Sequence, residues 1–181
     1  MKNELYQKLL NHSVSDKTLH VYFGKDPSKG IWSNGSIPKT HTAETIDGNE
    51  NAFVNPVRHS DLIDVEIYNQ TYYSAVIETV IHNDFAMFSE KEAKPIMARR
   101  PFVIMGARHQ LRAFRSLGFE TFSPVIDESY DDIEDCLERF DSMLDAMEKL
   151  CKIDPVEVYK KLLPVIDHNK KHFLENKWTR I

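Results

Sequence analysis

Two apolar runs, Tyr72-Tyr73-Ser74-Ala75-Val76-Ile77-Glu78-Thr79-Val80-Ile81 and Pro101-Phe102-Val103-Ile104-Met105-Gly106, flank the polar stretch Ser89-Glu90-Lys91-Glu92-Ala93-Lys94, and their reading decides the fold. The first run is rich in β-branched and aromatic residues, as strands are. The second is continuously apolar over Phe102 to Met105, the pattern of a central strand buried on both faces. Between them, Ser89 offers a hydroxyl cap followed by acids in the first turn, which predicts a helix over Ser89 to Arg100. Pro95 inside that helix predicts a kink or an early end. Strand, helix and strand in this order imply parallel pairing through a right-handed crossover.

Downstream, Arg108 to Leu117 reads as a helix with Leu111, Phe114 and Leu117 on one side and Gly118 closing it. Glu120 to Phe122 reads as a further short strand. Ile133, Leu137, Phe140, Leu144, Met147 and Cys151 step by four and three, an amphipathic stripe over about five turns. Asp154-Pro155 opens a last helix with Tyr159, Leu162, Leu163 and Ile166 inward. Upstream, Asn3 to Asn11 reads as a short helix, and Thr18 to Phe23 and Asp61 to Tyr68 as strands. Gly24 to Ser60, with four glycines, three prolines and little periodicity, reads as a long excursion. The fold class expected is therefore α/β, a single Rossmann-like domain with a mainly parallel sheet flanked by helices and two longer C-terminal helices. Residues 1–60 form an N-terminal segment and residues 61–181 the Rossmann-like lobe.

The chain has 181 residues, 41% hydrophobic and 28% charged, enough for one sizeable core and too few for two full-sized domains. No run approaches the roughly 20 apolar residues of a membrane span, and no signal-peptide core follows Met1. The two cysteines, Cys136 and Cys151, fall on one predicted helix too far apart to pair. A soluble, cytoplasmic protein in a reducing setting is expected.

The net charge of −5 conceals an asymmetry. Seven cations from Lys91 to Arg115 meet only Glu90 and Glu92, whereas eleven carboxylates from Glu120 to Glu148 meet only Arg139. A compact basic cluster in an acidic protein suits a defined anionic ligand better than a nucleic-acid track, or else the two segments attract each other across the fold.

In parallel sheets ligands sit at the carboxyl ends of strands, where loops lead into helix N-termini. Two turns qualify: the one after the first strand, ending Phe88-Ser89-Glu90-Lys91, and Gly106-Ala107-Arg108-His109 after the second. The first combines a helix N-terminus with one carboxylate and two ammonium groups, Lys91 and Lys94, which suits a nucleotide diphosphate. Its plainer reading is an ordinary capped turn.

Tyr73 to Thr79, Phe88 to Lys91, Lys94-Pro95-Ile96, Arg100 to Gly106, Leu117 to Phe122 and Asp127 to Asp131 together resemble glycosyltransferase-like proteins of tailed bacteriophages. The stretch from about 62 to 175 is similar to the C-terminal, nucleotide-binding lobe of a GT-B transferase, distantly like the α1,3-fucosyltransferase pattern. The resemblance implies that Glu90 meets the ribose, Lys91 the diphosphate, Glu78 the edge of the donor pocket, and that Gly106 leaves room for the nucleotide. It implies a UDP- or GDP-linked sugar as ligand, no metal and no assigned catalytic residue. Since such enzymes close a cleft between two lobes and only about 60 residues precede this one, a single lobe of a two-lobed enzyme is expected. The cofactor-binding candidates are thus Glu78, Ser89, Glu90, Lys91, Lys94, Gly106 and Arg108, and the setting is host cytoplasm if the protein is phage-encoded.

A catalytically silent interaction protein, binding a host or phage partner or a second copy of itself, is the alternative. Its interface would be the basic helix around Arg108 to Arg115 or the acidic one from Asp131 to Glu148. Other constellations are weaker. His168 and His172 stand at i and i+4, a zinc-capable spacing, but without an acid between them. Asp61, Asp64 and Glu66 lack the lysine a metal-dependent nuclease strand needs. His59, His82 and His109 border loops and read as surface residues.

Overall fold

The computed structural model of the chain describes residues 2–18, 24, 25, 32, 33, 63, 65–82 and 85–176. The chain divides into two compact units, Met1–Leu62 and Ile63–Ile181. In the first, helix α1 (Lys2–Asn11) runs into a 3-10 turn at Ser15–Lys17, and β1 (Gly24–Lys25) pairs antiparallel with β2 (Trp32–Ser33). Of the expected strand Thr18 to Phe23 only Thr18, in extended conformation, falls among the described residues, as do only these short strands of the 24–60 excursion.

The second unit is built on the segments quoted above. Its elements are α2 (Val65–Asn69), β3 (Ser74–Ile77), α3 (Glu90–Met97), β4 (Phe102–Met105), α4 (Gln110–Ser116), α5 (Cys136–Leu150) and α6 (Pro155–Glu175). β3 and β4 are parallel, with Ser74 opposite Phe102 and Ile77 opposite Met105. All four residues of β4 are buried, because α5 covers it and aromatic rings pack along it. Phe114 of α4 stacks on Phe119 at 4.5 Å and meets Phe102 edge-on at 6.0 Å, while Phe102 meets Phe122 at 5.0 Å. Such ring pairs fasten α4 to the strand beyond what area burial alone provides.

Among the described residues the sheet of this unit is a single parallel pair of strands within a mixed helix and strand unit, so the expected mix of helix and parallel strand is present and a Rossmann-like sheet is not shown. The expected strand Glu120 to Phe122 is not one, and two side chains explain why. The parallel register sends Ser74 N–H to Pro101 O and Glu78 N–H to Met105 O, which leaves the Ile104 N–H pointing away from β3. There it meets the hydroxyl oxygen of Tyr130, a buried ring that stands where a third strand would pair. Glu120, meanwhile, gives its N–H to Asn169 Oδ1 and takes Asn169 Nδ2–H on its carbonyl, both at 2.8 Å. The buried carboxamide of α6 thus imitates a neighbouring strand and ends the ladder.

The expected strand Asp61 to Tyr68 is also corrected: Val65–Asn69 is a helical turn. β-branched composition is overridden by its anchors, since Arg100 donates to the Tyr68 carbonyl and the Tyr68 phenol bonds Ser74 at the head of β3. α3 ends two residues after Pro95, and its close is a left-handed cap. Arg99 has φ 57°, its N–H reaches Ile96 O at 3.1 Å, and Arg100 N–H reaches Pro95 O at 2.8 Å. A residue other than glycine is held there by the 2.6 Å ion pair of Arg99 with Asp167 of α6.

α6 opens at Asp154-Pro155 as expected, α5 is capped by Asp135, and both helices shift their buried faces slightly. Asp135 and Asp154 accept the first free N–H groups. The buried stripe of α5 runs through Arg139, Phe140, Met143, Met147 and Leu150, and that of α6 through Val158, Leu162, Val165, Ile166 and Asn169. Cys136 and Cys151 stand at opposite ends of α5 and form no disulfide. Among the described residues no helix is long and apolar enough to cross a membrane.

Asn169→Ala would strand both Glu120 backbone groups and open a cavity. Urea unfolding should register a loss of about 2–4 kcal/mol, whereas a loss below about 0.5 kcal/mol would show that solvent satisfies them instead.

Candidate functional site

β3 ends at Ile77, so Glu78 is the first residue beyond its carboxyl end, and the chain returns eleven residues later as the cap of α3. The capping box is complete: Ser89 Oγ accepts the Lys91 N–H, and Glu92 Oε2 accepts the Ser89 N–H at 2.9 Å. This local chemistry aims three side chains back at Glu78. Ser89 Oγ donates to Glu78 Oε1 at 2.6 Å, and Lys91 Nζ lies 3.3 Å from Glu78 Oε2 and 3.1 Å from Ser89 Oγ. The Thr79 N–H adds a fourth contact at 3.2 Å. The Glu92 carboxyl completes the ring in hydrogen-bonding contact with Glu78.

Two carboxyl groups, each about 97% buried, therefore meet. They cannot both be charged at close range in a poorly solvated place, so their proton affinities separate. Burial alone would raise Glu78, yet hydrogen bonds from Ser89 and Glu92 and the Lys91 charge outweigh it and hold Glu78 below its ordinary value. Burial and then the Glu78 charge push Glu92 up to about 8. Glu92 Oε1 is buried without a hydrogen-bond donor on it, which adds to the cost of charging that carboxyl group.

The remaining candidates occupy different surroundings. Glu90 is exposed, 3.9 Å from Lys91 Nζ, and Lys94 is half-buried on the last turn of α3. Gly106 follows β4, but the space a side chain would take is filled by the Gln110 carboxamide, 2.6 Å from where a Cβ would stand. Gln110 in turn bonds the Met87 carbonyl and so ties the two turns together. Arg108 faces acids: it donates to Asp132 O and lies 3.7 Å from Glu134. The N-terminus of α4 is already occupied, because the buried Asp131 carboxylate accepts the N–H groups of Leu111 and Arg112. Glu78, Ser89 and Lys91 are thus brought together with Glu90 beside them, whereas Gly106 and Arg108 serve contacts within the chain.

Several residues of this region were not singled out from sequence. Glu92 was legible as the fourth letter of Ser89-Glu90-Lys91-Glu92, the capping-box spacing. Arg139 lies on the same stripe as Met143 and Leu150 and is 2% exposed. Its guanidinium donates to Ile81 O at 2.6 Å and to Gly106 O at 3.3 Å, beyond the ends of both strands. Asp131, one of eleven carboxylates in the acidic stretch, is buried.

His168 and His172 stack at 5.7 Å and point their Nε2 atoms to the carbonyls of Gly118 and Leu117, at 2.9 and 2.7 Å. They cap the end of α4. His109 lies 3.0 Å from Asp132, and His82 is exposed. His59, Asp61 and Asp64 lie outside the described residues.

Compared with known protein families, curated proteins and solved structures, the chain matches none of them.

The carboxyl pair carries a pH signature. Glu92 binds its proton more tightly folded than unfolded, so its contribution is complete below about pH 4.5 and is lost as pH rises through about 8. Glu78, held low, contributes in the opposite sense and loses its share on acidification. Glu92→Gln keeps a donor toward Glu78 and cannot ionise. Its stability relative to the parent chain should rise by roughly 1–3 kcal/mol between pH 5 and pH 9, measured by denaturant unfolding. A difference independent of pH would mean that Glu92 is ionised throughout.

Proposed function

We propose that this chain binds the diphosphate of a nucleotide or nucleotide sugar at the turn between β3 and α3, as a glycosyltransferase-like lobe does. The observation that carries the reading is the convergence of Glu78, Ser89 and Lys91, with contacts of 2.6, 3.1 and 3.3 Å, at the carboxyl end of a parallel strand. Such a position favours anions through the dipole of the following helix. Lys91 keeps about a third of its side chain in solvent and Glu90 more, so both reach a ligand lying over the turn. Lys91 supplies charge for the diphosphate, Lys94 a second cation, and Glu90 an acceptor for ribose hydroxyls.

The distribution of the other cations supports this turn over the second one. Arg108, Arg112 and Arg115 of the α4 region pair with Glu134, Asp132 and Glu128 of the following acidic segment. The two oppositely charged stretches of the sequence thereby neutralise each other within one unit. An interface with another protein through this basic helix would first have to break those pairs, which makes the interaction-protein reading the weaker one.

Melting curves with UDP, GDP, UDP-glucose and GDP-mannose test the proposal. At a hundredfold excess over Kd a true ligand should raise Tm by about 5–10 °C. The double substitution Glu90→Ala, Lys91→Ala should remove the shift. Unchanged melting with all four compounds rejects the reading.

A further inference from the structure

The Lys91 ammonium has two claims on it. In the structure it serves Glu78 and Ser89, and in the proposed function it serves a diphosphate; both cannot be met in one position. What happens to Glu78 when the ammonium leaves is a question of charge. The cluster now holds two carboxyl groups, one proton and one ammonium, and is neutral. Glu78 has 1% of its side chain exposed, so without Lys91 it would be a desolvated anion held by the Ser89 hydroxyl and the Thr79 N–H, with a second carboxyl group against it and its counter-charge gone.

We propose that Lys91 is a movable counter-ion, and that when it swings from Glu78 to an anionic ligand the Glu78–Glu92 pair takes up one proton in its place. The inference rests on the nucleotide-diphosphate reading for the identity of the anion, and on the contacts and burial of Glu78, Ser89, Lys91 and Glu92 for the exchange.

Three features make the exchange workable. Lys91 is anchored by its backbone in the capping box, so its side chain can move while the Ser89 Oγ contact to its N–H persists. The cluster opens to solvent on the Ser89 and Lys91 side, where protons arrive. Among the described residues, Lys91 is the cation recorded at the pair. On α3 itself the neighbours are Glu90 and, a turn away, Lys94; from β3 comes only Glu78. From α6, Lys170 binds the Met97 carbonyl and Asp167 pairs with Arg99, both at the far end of α3. His82 lies beyond β3, and Arg139 is directed at the carbonyls of Ile81 and Gly106. A proton is therefore the replacement at hand.

Lys91→Met reads the exchange without any ligand. Its stability relative to the parent chain should fall progressively from pH 5 to pH 9, because the proton that substitutes for the ammonium is lost on that path. Lys91→Arg should restore the parent profile, and Lys91→Met with Glu78→Gln should abolish the slope. A Lys91→Met profile parallel to the parent overturns the proposal. The second arm is calorimetry with UDP-glucose and GDP-mannose, whose diphosphate diesters do not titrate in this range, in buffers of different ionisation enthalpy. Uptake approaching one proton per ligand, with affinity rising up to tenfold per pH unit on acidification, supports the exchange. Binding with no proton uptake at any pH overturns it. Absence of binding together with the predicted Lys91→Met slope removes the nucleotide reading and still establishes the exchange of ammonium for proton.

Discussion

A guanidinium buried under the ends of two strands holds the larger unit together. A parallel pair of four-residue strands is too small to be stable alone and depends on what is packed and bonded around it. Arg139, planted on the inner face of α5, donates beyond β3 to Ile81 and beyond β4 to Gly106, and from its other nitrogen to Ile133 and Glu134. Four carbonyl oxygens replace the water that the charge has lost, and no carboxylate is bonded to it. Burial lowers its proton affinity, yet an arginine stays charged. Because the same group grips both strand exits, it fixes the separation of the two turns that follow them, and Gln110 repeats the tie from the other side through Met87.

With the turns so fixed, their different fates follow from what each finds nearby. The turn after β4 enters α4 through His109 in the left-handed region, and the segment after Phe122 folds back to place Asp131 on the open N–H groups. That carboxylate is the anion which the helix end attracts, supplied by the chain itself. The turn after β3 has no such visitor. Its helix is capped by its own hydroxyl and its own Glu92, and the result is a buried acid pair balanced by a half-exposed lysine. Self-satisfaction by a carboxylate is fixed, whereas satisfaction by a long ammonium side chain is exchangeable, which is why the two turns differ in what they offer a ligand.

The sequence made local chemistry legible and left long-range substitution hidden. β4 was readable from four consecutive apolar residues, α3 from Ser89 and its acids, α6 from Asp154-Pro155, because each signal is contained in a few adjacent positions. The third strand failed for a reason no window over Glu120 to Phe122 contains: Asn169 lies 49 positions away, and Tyr130 pairs with β4 from beyond a turn. Val65 to Asn69 failed similarly, its helical turn being held by Arg100. At the site, Ser89 and Lys91 could be seen from sequence, and Glu78 came with the resemblance. The contact between Glu78 and Glu92 could not be seen, since it requires β3 and α3 to be folded against each other. Arg139 was visible only as an exception to an acidic run, although its register with Met143 and Leu150 marked it as inward-facing.

A buried acid pair is an unusual thing to keep if its task were only to cap α3. Ser89 with Glu92 already satisfies the helix end, and an apolar residue in place of Glu78 would be less costly to bury than a charge. Glu78 contributes nothing to the capping box; its bonds go outward to the Ser89 hydroxyl and the Lys91 ammonium. What it does is hold a lysine, at the carboxyl end of a strand, in a position that is favourable but replaceable. Burying that carboxylate under a half-exposed ammonium costs stability, and the cost rises if the ammonium leaves unless a proton takes its place. The packing of the turn alone therefore does not account for Glu78, which the proposed competition for Lys91 would explain.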